Sequence, residues 1–118
     1  MDTYVLLSGL GASIFPFQKI KMESEGITPE QLKKELAGKT VTSFIGHPTT
    51  RDIIVKLLQE GGTQVIDKGR EEFHIQPGMK VVMYVVALPR RQQQSGQDVA
   101  VQSIEELIIR RVEVLSSS

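Results

Sequence analysis

The stretch of sequence that decides the fold covers residues 80–88 and reads Lys80-Val81-Val82-Met83-Tyr84-Val85-Val86-Ala87-Leu88. It is nearly continuous valine, methionine and tyrosine, without the alternation of polar and apolar residues that a half-exposed strand shows. Such a run is typical of a strand that is buried on both faces. It is also far too short to cross a bilayer as a helix, which takes about 20 apolar residues. The run therefore predicts a central strand of a covered sheet.

Strands and helices alternate along the rest of the chain. Further strands are predicted over residues 4–7, 17–23, 40–44, 63–66, 71–76 and 112–114. A first helix starts at Thr28, which is followed by proline and has glutamine three positions on, and it ends at Gly38. A short helix is predicted from Ser103 to about Ile109. Interleaved strands and helices predict one small α/β (α+β) domain over residues 1–118, a mixed sheet flanked by helices.

Another helix carries the strongest apolar stripe of the chain. It is predicted from about Thr50 to Glu60, and the stripe consists of Ile53, Ile54, Leu57 and Leu58. Thr49 is the predicted N-cap, with Asp52 three residues on in a pattern that resembles a capping box. The pair Gly61-Gly62 is predicted to end the helix.

The segment before this helix is the main candidate for a functional site, and it reads Ser43-Phe44-Ile45-Gly46-His47-Pro48-Thr49-Thr50. The first turn of a helix offers backbone N–H groups and a positive dipole end to an anion. The imidazole of His47 can hold or release a proton near neutral pH. Together they could act on a phosphate and a proton at once. The alternative is that His47 is a capping or surface residue.

Basic and small residues next to predicted strands are the other candidates. Arg90 and Arg91 follow the central strand at its carboxyl end, where ligands often bind in α/β sheets. A guanidinium suits phosphate oxygens, although an arginine pair in a loop is more often simply solvated. The small residues of Ser8-Gly9-Leu10-Gly11 would let a ligand approach the backbone. Ile14 stands where a dinucleotide-binding motif needs glycine, which excludes that motif.

Composition excludes several classes of protein. The 14 Lys and Arg balance the 14 Asp and Glu, which argues against a long nucleic acid as the main partner but allows a small anionic ligand. There is no cysteine, so no disulfide framework is expected. The two histidines, His47 and His74, are isolated and the carboxylates are not clustered, so neither a metal site nor a cofactor is expected. Met1 leads directly into a strand-like segment, so no leader or membrane segment is expected either.

These motifs, in this order, resemble the small ring nucleases, a family of viral anti-CRISPR proteins and cellular relatives that degrade cyclic tetra-adenylate. Gly46-His47, the hydroxyl residues after it and the helix ending in glycine resemble the family signature. The first strand with its small-residue loop, Gly69-Arg70, the central strand followed by Arg90-Arg91, and the segment 103–107 resemble further family elements. The resemblance covers most of the chain.

The resemblance implies a metal-independent enzyme that opens cyclic tetra-adenylate into linear products with 2′,3′-cyclic phosphate ends. It implies a two-fold homodimer with the ring at its interface, located in the cytoplasm, and in the host cytoplasm if the protein is viral. His47 would be the general acid and Arg91 the second catalytic residue. The implied ligand contacts are Ser8, Gly9, Gly11, Ser13, Gly46, Thr49, Thr50, Arg70 and Arg90.

The chain departs from the family at four positions. Ser8 stands where the family has asparagine, and Arg90 stands where it has glutamine. Gly11 stands where the family has serine, and Ser13 would replace it only under a shifted alignment. Gln94 stands where the family has glutamate. These departures leave open a protein that binds the ring without cutting it, or a small regulatory protein with another partner.

Overall fold

In the computed structural model the described residues are 3–9, 20–69, 71–75, 80–87 and 107–117. They form a six-stranded sheet with two helices. The strands are β1 (Thr3–Leu7), β2 (Ile20–Ile27), β3 (Thr40–Ser43), β4 (Gln64–Asp67), β5 (Val81–Ala87) and β6 (Ile108–Ser117). The helices are α1 (Pro29–Leu36) and α2 (Pro48–Glu60). This arrangement confirms the predicted α+β domain.

The sheet has a parallel half and an antiparallel half. Its strand order is β2-β6-β5-β1-β3-β4. Strands β5, β1, β3 and β4 run parallel to one another, whereas β6 is antiparallel to both β5 and β2. The carboxyl ends of the four parallel strands therefore meet at one edge of the sheet. We call this edge the carboxyl edge. Among the described residues it includes Ser8 and Gly9, which follow β1, and the segment 44–50, which follows β3.

Strand β5 lies in the middle of the sheet and is buried on both faces, as its sequence predicted. Tyr84 and Val86 join the core under the helices, to which α1 contributes Leu32 and Leu36. Val81 and Met83 face the opposite side. There the core also includes Ile75, with Phe73 packed against it, from a segment that forms no strand. One apolar layer is therefore built on helices and the other partly on irregular chain.

Both helices begin and end as their local sequence dictates. Thr28 caps α1 through a complete capping box, in which it accepts a hydrogen bond from the Gln31 amide and its own amide donates to the Gln31 side chain. In α2 the predicted stripe is buried at Ile54, Leu57 and Leu58, and the helix ends at Gly61. No helix among the described residues is long and apolar enough to cross a membrane.

Three predicted segments differ from the structure. Residues 71–75 alternate in polarity but lie in no strand, because Phe73 and Ile75 pack on the sheet face without joining its hydrogen-bond ladder. The helix predicted up to Ile109 is wrong at its end, since Ile108 and Ile109 begin β6 and pair with β5; residues 103–106 lie outside the described residues. The strand predicted at 17–23 is observed as Ile20–Ile27, which continues past its predicted end, and residues 17–19 lie outside the described residues.

Candidate functional site

The segment that leads from β3 into α2 is held tightly in place. The Phe44 amide donates to the Leu6 carbonyl at 2.9 Å, which continues the ladder between β1 and β3. The Ile45 amide donates to the hydroxyl of the fully buried Ser43 at 3.4 Å. The Ile45 side chain is itself fully buried in the core under the helices. The backbone that leads into Gly46 and His47 is therefore fixed at Phe44 and Ile45.

His47, and not Thr49, is the N-cap of α2, so the predicted cap was wrong by two residues. Its backbone is extended, and its carbonyl accepts the first helical hydrogen bond, from the Arg51 amide at 3.0 Å. Pro48 occupies the first helical position, where its fixed φ suits a helix and its missing N–H costs nothing. With Thr49 already inside the helix, the predicted capping box with Asp52 does not form.

The start of α2 brings together the features that an anion site requires. The amides of Thr49 and Thr50 lie in the first turn, where the helix itself supplies no carbonyl to accept them. Among the described residues no side chain makes a capping hydrogen bond at the start of this helix, and its first turn contains no acidic residue. The Nδ1 atom of the half-buried His47 ring is shielded from solvent. The site thus combines a half-buried imidazole with helix amides.

Ser8 and Gly9 lie at the same edge of the sheet as His47. Both are exposed and directly follow β1, whose neighbour in the sheet is β3. A methyl group added at Gly9 would meet no described residue within 4 Å. Contacts within the described chain therefore do not require glycine there, and the open space is consistent with the predicted approach of a ligand to the backbone. The structure thus brings Ser8 and Gly9 to the edge where Gly46, Thr49 and Thr50 lie.

An ion pair at the same edge was not predicted from the sequence. The guanidinium of Arg51, one turn into α2, lies 3.4 Å from the carboxylate of Asp67 at the end of β4. Asp67 also accepts a hydrogen bond from the Gly69 amide at 2.8 Å, and Gly69 has a positive φ of 60°. The sequence feature that could have drawn attention to Asp67 is Asp67-Lys68-Gly69, which is a typical turn sequence.

Five of the predicted site residues lie outside the described residues: Gly11, Ser13, Arg70, Arg90 and Arg91. Their roles stay predictions. His74 is exposed, with its Nε2 atom 3.3 Å from the Glu72 carboxylate. Among the described residues no three side chains of His, Cys, Asp or Glu are grouped so as to hold a metal ion.

A second polar group, which we call the Arg111 cluster, consists of Glu25, Glu35, Tyr84, Arg111 and Glu113. Arg111 pairs with Glu35 of α1 and with Glu25 of β2, and the Tyr84 hydroxyl donates to Glu35 at 3.1 Å. Burial of the ring raises the pKa of Tyr84, and the Glu35 carboxylate adds to the rise. A cavity of about 190 Å³ opens beside the cluster. Its charged groups are already paired with one another, so the cluster binds α1 to the sheet.

Comparison with known proteins supplies a family and a fold. A family model described as STIV B116-like matches residues 4–113. Among solved structures, B116 of Sulfolobus turreted icosahedral virus (STIV) is similar, with a TM-score of 0.63 and 19% sequence identity over 93% of this chain and 97% of that one. No curated protein matches the chain. The identity to B116 is low enough that this likeness shows the fold alone. Because the family model spans nearly the whole sequence, the chain belongs to the STIV B116-like family.

Proposed function

We propose that this protein is a metal-independent ring nuclease, which cleaves cyclic tetra-adenylate to linear products with 2′,3′-cyclic phosphate ends. The observation that carries the proposal is the position of His47 as the N-cap of α2, at the edge where β1 and β3 end. An imidazole and first-turn amides that the helix itself does not satisfy lie together there, which suits a reaction at a phosphodiester. The sequence resemblance to ring nucleases supplies the cyclic substrate.

The chemistry needs no metal ion because the nucleophile belongs to the substrate. The 2′-hydroxyl gives its proton to solvent and its oxygen bonds to phosphorus, while the bond from phosphorus to the 5′-oxygen breaks. The leaving 5′-oxygen takes a proton from the His47 imidazolium, which regains one from solvent. Such proton transfer typically contributes about 10²–10⁴-fold to the rate. The amides of Thr49 and Thr50 would hold the phosphate in line for attack.

The remaining roles rest on the resemblance. Arg91 would stabilise the charge that develops on phosphorus, and Arg70 and Arg90 would bind further phosphates. A two-fold homodimer suits a ring with an even number of repeats, because two identical surfaces can bind its two halves. Each subunit would then contribute one His47.

In a cell the proposed activity would lower a second messenger that activates type III CRISPR effectors. The same activity would serve a virus as an anti-CRISPR inhibitor or a cell as an off-switch. Either role places the protein in the cytoplasm, where the messenger acts.

A second candidate is a protein that binds the ring without cutting it. Two departures of the sequence favour it: Gly11 has no side chain where the family has serine, and Gln94 has no charge where the family has glutamate. Such a protein would sequester the messenger and would use the same edge of the sheet.

Incubation of the purified protein with labelled cyclic tetra-adenylate and EDTA separates the two candidates. Conversion to linear products by the wild type, lost in His47→Ala, is the expected result. His74→Ala is the matched control, because it removes the other histidine from an exposed position away from α2. Tight retention of an intact ring by wild type and His47→Ala alike would instead support sequestration. If the wild type neither bound nor cleaved the ring, both candidates would be overturned.

A further inference from the structure

Arg51 occupies a position that the stability of its own helix does not explain. It is the fourth residue of α2, close to the positive end of the helix dipole, where a cation is unfavourable. Its amide donates to the carbonyl of His47, so its place is fixed relative to the N-cap. Its guanidinium lies between two carboxylates, 3.3 Å from Asp52 and 3.4 Å from Asp67. With both carboxylates beside it, the guanidinium is not arranged as a primary phosphate ligand.

Asp67 ties this guanidinium to the end of β4. Across the parallel ladder Asp67 pairs with Ser43, the residue from which the segment to His47 departs. One carboxylate oxygen of Asp67 faces Arg51, and the other accepts the Gly69 amide at 2.8 Å. The Lys68 amide donates to the Ser43 carbonyl at 2.8 Å. The turn 67–69 is therefore bonded both to the end of β3 and to the start of α2.

The ion pair is too exposed to contribute much to folding. The Arg51 side chain is 30% exposed and that of Asp67 is 45% exposed, and ion pairs of this kind add little to stability. Position matters more, because a misplacement of about 1 Å in a catalytic group can reduce a rate by about 10²-fold. The two elements it joins carry His47 and the turn that directly precedes Arg70 in sequence.

We propose that Arg51 and Asp67 are a positioning pair, which fixes the start of α2, and His47 with it, against the turn that follows β4. Its role in cleavage rests on the proposed ring-nuclease function, whereas its role in holding the turn does not. Neither residue takes part in bond making. The pair sets the angle at which His47 meets the leaving oxygen.

The test uses Arg51→Gln, Asp67→Asn and the double variant, with Asp52→Asn as the matched control. Single-turnover cleavage of cyclic tetra-adenylate and the Kd for the ring are measured separately. Each single change of the pair should slow cleavage about tenfold and change the Kd less than about threefold. The double variant should be no slower than the slower single variant, because both remove one interaction. Arg51→Lys should recover part of the rate, and Asp52→Asn should cleave like the wild type.

Additive losses of cleavage rate in the double variant would overturn the positioning role. Weaker ring binding with an unchanged cleavage rate would also overturn it, because Arg51 would then be a ligand contact. Amide exchange of Gly69, measured by NMR without ligand, tests the pair even if the wild type proves inactive. Exchange should quicken in Arg51→Gln, because Arg51 contacts Asp67 and Asp67 accepts the Gly69 amide, and should not change in Asp52→Asn. Unchanged exchange in Arg51→Gln would overturn the proposal independently of the function.

Discussion

The carboxyl edge and the Arg111 cluster are both polar regions, but they satisfy their polar groups differently. In the Arg111 cluster the guanidinium pairs with Glu25 and Glu35, and the Tyr84 hydroxyl donates to Glu35. At the carboxyl edge, α2 begins with amides that its own helix cannot satisfy, beside the half-buried His47. The comparison teaches that paired charges bind elements of the fold together, whereas groups that the helix leaves unsatisfied at a strand end indicate a site.

The largest expected effect on stability is in the Arg111 cluster. Arg111→Met should lower the free energy of unfolding by about 1–3 kcal/mol, because Glu25 and Glu35 lose their cation in a partly buried setting. Ring binding should not change. Urea denaturation and a binding titration check both points, with Arg110→Met, an exposed arginine that donates to the uncharged Ser24, as the control. If Arg111→Met lost ring binding while its stability stayed unchanged, the Arg111 cluster, and not the carboxyl edge, would be the ligand site.

Tyr84→Phe should have a smaller effect, about 0.5–1.5 kcal/mol near neutral pH, from the lost hydrogen bond to Glu35. The pKa of Tyr84 is higher in the folded state than in the unfolded state, so the fold favours the protonated hydroxyl. This contribution to stability is complete below the ordinary tyrosine pKa of about 10 and is lost as the pH rises above it. Wild type should therefore lose stability more steeply than Tyr84→Phe above about pH 10. Urea midpoints of both proteins across that range measure the difference; parallel curves would contradict it.

The smallest effect on stability is expected at the carboxyl edge. Gly9→Ala should leave the free energy of unfolding within about 0.5 kcal/mol of wild type, because the added methyl group meets no described residue within 4 Å and the φ of Gly9 is not positive. It should weaken ring binding, since the methyl group occupies the approach to the backbone. Gly69→Ala is the contrasting control: its φ of 60° should cost about 1 kcal/mol. Unaltered ring affinity in Gly9→Ala would remove Gly9 from the site.

The sequence predicted those features that depend on neighbouring residues. The capping box at Thr28 and the apolar run of β5 act over a few positions, and both were confirmed. The start of α2 was misplaced because its hydroxyl residues suggested a cap, whereas Pro48 fixes the first helical position. Phe73 and Ile75 of the alternating segment 71–75 do pack inward, but alternation alone does not supply a neighbouring strand.

Features that depend on distant residues could not be predicted. Arg51 and Asp67 come from α2 and β4, and only the parallel pairing of β3 with β4 brings them together. The Arg111 cluster draws on β2, α1, β5 and β6, which share no local pattern. His47 was proposed as a site residue because a histidine before a helix start is itself a local signal, and its role stays a prediction. The position of Ser8 and Gly9 at the same edge followed only from the strand order.

The most direct test of the central claim replaces the 5′-bridging oxygen of cyclic tetra-adenylate with sulfur. A thiolate leaves without the help of a general acid, so this substrate bypasses the step assigned to His47. His47→Ala should cleave the oxygen ring about 10²–10⁴-fold more slowly than wild type, and the sulfur ring at nearly the wild-type rate. Equal losses on both rings would contradict the account, because His47 would then act on something other than the leaving oxygen.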